Sequence, residues 1–134
     1  MFRKFFYLLI GLLIFSCGEN ETRPNIVFIL TDDLGYGDLS SYGSKTINSK
    51  NIDQLAKDGV KLTSYYAAQP VCSASRAAVL TGVYPNRIGL HNAFGPNSNS
   101  GINHSELTLA EMLKETGYST GIYGKWHLGS KKEY

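Results

Sequence analysis

A chain of 134 residues with 43% hydrophobic and 18% charged residues can build one modest domain with a core; this composition excludes a disordered or fibrous protein. Its 13 Lys and Arg face 11 Asp and Glu; without Arg3 and Lys4 the remainder is formally neutral, which argues against general nucleic-acid binding.

Arg3 and Lys4 precede FFYLLIGLLIF, an apolar run from Phe5 to Phe15. Its 11 residues are too few to span a bilayer and suit the core of a signal peptide. Ser16-Cys17-Gly18 follows and resembles the lipobox of bacterial lipoproteins, in which cleavage leaves the cysteine lipidated at a new N-terminus. The alternatives are an ordinary secreted signal and a membrane anchor. The expectation is residues 1–17 as signal, 18–24 as a polar tether and 25–134 as the folded part. The mature chain is expected to be exported and held by its lipid to a membrane of the bacterial periplasm or cell surface. A Cys17–Cys72 disulfide requires that the signal stay uncleaved. The Asn-x-Thr and Asn-x-Ser tripeptides at Asn20 and Asn103 matter only in a eukaryotic secretory pathway.

Ile26 to Leu30 is a continuous, largely β-branched run, predicting a strand buried on both faces. Asp32 and Asp33 stand at its carboxyl end. In NIDQLAKDG, Ile52, Leu55 and Ala56 recur at helical spacing before Gly59, predicting a helix. VKLTSYY alternates, predicting a strand over 60–66. Residues 75–80 read as a helix stopping at Gly82, and 84–105, rich in Gly, Asn and Ser, as a long surface loop. Thr108 and Glu111 form a capping box ahead of a helix with Leu109, Met112 and Leu113 as its buried stripe, ending near Gly117. YSTGIYGKWHLG reads as a short strand and a turn. The alternation predicts an α/β fold, in which ligand sites lie beyond the carboxyl ends of strands.

Three segments bring chemistry to such ends. Adjacent carboxylates at Asp32 and Asp33 repel, and a divalent cation relieves the repulsion; a turn or a helix cap is the plainer reading. Cys72 precedes a helix whose first amides favour an anion, and Arg76 one turn on adds a fixed positive charge. A reactive thiolate and a buried free thiol both remain open there. Lys125 and His127, two apart on an extended segment, would point the same way; a surface lysine and a structural histidine is the plainer reading. His91 and His104 read as loop residues without a role. No GxGxxG or GxxxxGK[ST] phosphate loop is present in the sequence.

Taken together, PNIVFILTDDLGYGDLSSYG, NIDQLAKDGVKLTSYYAAQPVCSASRAAVLTGVYPNRIGLH and GYSTGIYGKWHLG resemble the sulfatase family, from Pro24 to the last residues. The resemblance implies the N-terminal part of an alkaline-phosphatase-like α/β/α sandwich with a mostly parallel central sheet. It implies that a maturing enzyme oxidises Cys72 to formylglycine, whose hydrate presents two hydroxyls, one to attack sulfur and one to expel sulfate. Asp32 and Asp33 would be ligands to calcium, or magnesium in its place, with the group made from Cys72 also meeting the metal. Arg76 would steady the diol, Lys125 would contact the sulfate and His127 would hydrogen-bond the diol. Partners would be a sulfated small molecule or glycan, the formylglycine-generating enzyme and the membrane, with no nucleic acid.

The family's common signature is Cys-x-Pro-x-Arg, and Ala74 replaces the proline here, which puts the conversion of Cys72 in question. Calcium takes six to eight oxygen ligands, and the family's remaining acidic and amide ligands, with another lysine and histidine, would lie beyond Tyr134. The chain therefore reads as an N-terminal fragment, expected to be inactive alone and to expose sheet edges. A sulfuric ester hydrolase is the leading reading. A phosphonate or phosphodiester hydrolase of the same superfamily, and a non-catalytic binder of sulfated glycans, are the alternatives.

Overall fold

A computed structural model describes residues 22–131. The expected signal segment and Cys17 lie outside the described residues. The chain divides between Thr31 and Asp32 into two units.

In the first unit, the run Ile26 to Leu30 has strand-forming residues but no strand, and Val27 is 83% exposed. The same holds in the second unit for 60–66 and for the segment around Ile122, since no described residue is in a strand. The expected sheet is not formed among the described residues. β-propensity describes how side chains fit a pleated, half-buried surface, and a strand exists only with a neighbour to complete its ladder.

The second unit is built from helices and turns. Two 3-10 turns, Tyr36–Asp38 and Ser40–Tyr42, precede α1, Lys50–Asp58. A polar clip joins the second turn to α1. The Asp53 carboxylate accepts from the Ser40 hydroxyl, the Ser41 amide at 2.9 Å and the Ser49 hydroxyl at 2.8 Å, while the Ser40 and Ser49 amides donate to each other's hydroxyls. These bonds hold the Asp53 carboxyl below the usual carboxylate range, those from Ser40 and Ser49 most of all. The expected apolar stripe of α1 forms but stays uncovered, with Leu55 68% exposed. Polar local bonds position this helix, not burial.

The second helix, α2, spans Cys72–Thr81 and begins three residues before the sequence expectation. Its buried residues are Ser73, Ala74, Arg76 and Ala77, mostly small side chains that allow close approach. Gly82 ends it in the left-handed conformation at φ 68°, its amide returning to the Ala78 carbonyl. The expected capping box is present at α3, Leu109–Glu115: Thr108 accepts from the Glu111 amide, and the Glu111 carboxylate accepts from the Thr108 amide at 2.8 Å. The stripe of α3 is not buried as expected; no residue of the helix is.

The core consists of Ala77, Leu90, Ile102 and Leu128, with Leu80, Ile88, Phe94 and Trp126 packed against it. Two of the four core residues, Leu90 and Ile102, come from the segment expected to be a surface loop. Pro85–Ile88 opens that segment as a 3-10 turn, and the Ile102 amide donates to the Leu128 carbonyl at 2.9 Å. Composition marked the segment as polar, while two aliphatic side chains decide where it sits.

Candidate active site

The site gathers where the start of α2 meets the two acidic residues and the 125–128 segment. Cys72 is the first residue of α2, after Val71 in extended conformation, and no side chain caps this end. The unpaired first-turn amides and the positive end of the helix dipole lie at the thiol's own turn. Ligand atoms of Asp32, Asp33 and Cys72 all lie within 4.8 Å of one another, with both aspartates exposed and Cys72 partly buried. Cys72 is a free thiol.

Asp32 is the electrostatic centre. One carboxylate oxygen meets Arg76 Nη2 at 2.9 Å and the other meets Lys125 Nζ at 2.8 Å. The bond from Lys125, then that from Arg76, holds the Asp32 carboxyl below its ordinary value. Reciprocally, its hydrogen bond to the Asp32 carboxylate raises Lys125.

Arg76 makes two contacts across the site. Its two terminal nitrogens reach Asp32 Oδ1 and, at 2.8 Å, the carbonyl of Lys125. A single buried guanidinium thus ties α2 to both other site segments, which suits the rigid fork of arginine and not a lysine.

Lys125 and His127 do not point alike. Alternation holds only along extended backbone, and His127 has φ 58°. Lys125 turns to Asp32, while His127 Nε2 lies 2.7 Å from the carbonyl oxygen of Phe94. Asp33 has φ 53°, so two of the expected site residues are non-glycine residues in left-handed backbone. Such conformations cost of order 1–3 kcal/mol each and cluster at functional sites.

The sequence reading missed Ser73 and Phe94. The fully buried Ser73 hydroxyl accepts from the Phe94 amide at 3.0 Å. A serine within an Ala/Ser-rich helix start carries no sequence signal of this. His91, read as a loop residue, is exposed and stands apart from the acidic cluster.

The donor chemistry tests the expected metal. Two exposed carboxylates are hard oxygen ligands that suit calcium or magnesium, whereas a thiol is soft and suits neither. The set fits such an ion once oxygen replaces sulfur at position 72, as the resemblance implies.

Comparison with known proteins defines the class. The family model described as Sulfatase matches residues 24–133. The chain is similar to the human steryl-sulfatase, 48% identical over 128 residues that make up 88% of this chain and 22% of that protein. It is similar to the N-acetylgalactosamine-6-O-sulfatase of Bacteroides thetaiotaomicron, 46% identical over 84% of this chain and 22% of that protein. Among solved structures, the crystal structure of Ps i-CgsB matches with a TM-score of 0.80 and 43% identity, over 83% of this chain and 25% of that one. The chain belongs to the sulfatase family. It spans about a fifth of the length of the curated relatives it matches.

Proposed function

We propose that this chain carries the nucleophile end of a sulfuric ester hydrolase acting on sulfated carbohydrates or on aryl or steryl sulfates. The observation that carries this is the cluster of Asp32, Asp33 and Cys72 at the uncapped start of α2, with Arg76 and Lys125 beside it.

The placement of each residue supports its part in this reading. The amides opening α2 and the Lys125 ammonium give a sulfo group a positive seat, which matters most as charge builds on its oxygens. Arg76 holds the seat together by bridging Asp32 to the Lys125 backbone, and in this reading it is a positioning residue. His127 offers a ring nitrogen to exchange a hydrogen bond with the reacting hydroxyl. Formylglycine, made from Cys72 by a maturing enzyme, would supply a hydrated carbonyl in place of a thiol. Asp32 and Asp33 would hold calcium, or magnesium, which supplies positive charge for the sulfo oxygens.

In a chain of the relatives' length, the exposed apolar segments 26–30, 60–66 and around Ile122 would be strands of an α/β/α sandwich. Export by the N-terminal signal and lipid attachment at Cys17 belong to the same proposal, as does action at a periplasmic or outer surface.

The decisive experiment coexpresses the protein with a formylglycine-generating enzyme and follows the Cys72 peptide by mass. Conversion of the thiol to the aldehyde in this chain, together with release of sulfate from an aryl sulfate by a protein of the relatives' length, is the expected result. Full conversion without turnover of sulfate esters, in a protein of the relatives' length, would sink the proposal; turnover of a phosphate diester instead would point to the sister chemistry.

A further inference from the structure

A buried chain of hydrogen bonds links the residue after Cys72 to His127. Ser73 Oγ, on a side chain with no exposed surface, accepts from the Phe94 amide. The carbonyl of the same residue meets His127 Nε2 at 2.7 Å. A carbonyl oxygen can only accept, so Nε2 must carry the proton. The other ring nitrogen, Nδ1, is buried and has no hydrogen-bond partner among the described residues.

We infer that Ser73 is a positioning residue, which sets the tautomer and orientation of His127 through the backbone of Phe94. This rests on the hydrolase reading only for its purpose, not for its geometry. Phe94 lies between exposed residues and is followed by Gly95, so its backbone would otherwise be free to rotate. Two anchors prevent this: its ring packs against the core, and its amide is held by Ser73. The ring anchor and the Ser73 bond together hold residue 94, and with it the position from which its carbonyl meets His127. With Nε2–H held by that carbonyl, Nδ1 is left with a lone pair, so that nitrogen can accept a hydrogen bond and cannot donate one. The nitrogen that carries the proton is chosen by its own carbonyl partner, and the opposite nitrogen is thereby left as the acceptor, as for histidines that ligate metals.

The arrangement also accounts for the left-handed backbone of His127, which turns the ring away from the side of Lys125 and towards Phe94. Ser73 thereby ties the helix that carries the nucleophile position to the histidine that serves it, by a route separate from the Arg76 bridge.

The test is nitrogen-15 NMR of the histidine rings in the wild-type chain at alkaline pH, where imidazole is neutral. His127 is expected as a single tautomer with the proton on Nε2. A proton on Nδ1, or a ring averaging between tautomers, overturns the proposal without any variant. Ser73→Ala should convert the single form to a mixture and speed exchange of the Phe94 amide about tenfold, the loss of one buried hydrogen bond. Ser73→Thr, which keeps the hydroxyl, should restore the wild-type ring signature. A Ser73→Ala protein that is folded and keeps the single Nε2–H form also overturns it. These readings decide the Ser73 link whether or not sulfate esters are turned over, so absence of turnover bears on the hydrolase reading alone.

Discussion

Arg76 and Asp32, 44 positions apart in sequence, are joined by a 2.9 Å ion pair in which the guanidinium is nearly buried and the carboxylate half exposed. The same guanidinium holds the backbone carbonyl of Lys125, so one side chain sets the spacing of three chain segments. Arg76→Lys keeps a charge but cannot span both partners. It should destabilise the chain by about 2 kcal/mol, the scale of hydrogen bonds to charged groups, and, in a protein of the relatives' length, abolish sulfate release. Thermal melts and an aryl sulfate assay check the two effects.

Metal binding should depend on both acids, but differently. Asp33→Asn removes the charge of one proposed ligand and leaves the pairs of Asp32 with Arg76 and Lys125 in place. Asp32→Asn removes the charge of the other and loosens those pairs. Calorimetry with calcium on formylglycine-bearing protein should show weaker binding for both variants, with a lowered melting temperature before calcium is added only for Asp32→Asn. Chelation should stop sulfate release, and added calcium should restore it.

Stability should fall in acid. The carboxyls of Asp32, Asp53 and Glu111 all lie below their ordinary values of 3.8, 3.8 and 4.5 in the folded chain. For a lowered carboxylate the stabilisation is complete above its unfolded value and disappears as pH drops through the folded one. Helicity followed by circular dichroism should therefore hold from neutral pH to about 5 and decline below about 4. Asp53→Asn should flatten that decline, since it replaces the titrating carboxylate that clips Ser40–Tyr42 to α1 with an amide that keeps one acceptor oxygen.

Thr108→Ala should cost about 1 kcal/mol, because it deletes the acceptor for the Glu111 amide at the start of α3. Thr108→Ser should retain most of that. Urea midpoints distinguish the two.

Sequence reading succeeded where structure is local. The capping box at Thr108 and Glu111, the glycine stop at Gly82 and the helix around Leu55 are all settled within a few residues, and all three are present. It failed where structure depends on distant neighbours. Ile26 to Leu30 has the composition of a buried strand, yet nothing in the run supplies a ladder partner. The site divides the same way. Asp32, Asp33 and Cys72 were legible as motifs, and the structure brings them together. The partners of Arg76 and His127 were not, because a bridge to a backbone carbonyl leaves no mark on residue identity.

Positions 33 and 127 also constrain how their mutants should be interpreted. A branched aliphatic residue at either one would meet a steric penalty from chirality itself, before any reactivity was touched. A scan of substitutions there will mix handedness with chemistry. Asparagine, which tolerates that torsional region and cannot replace an imidazole, separates the two at His127.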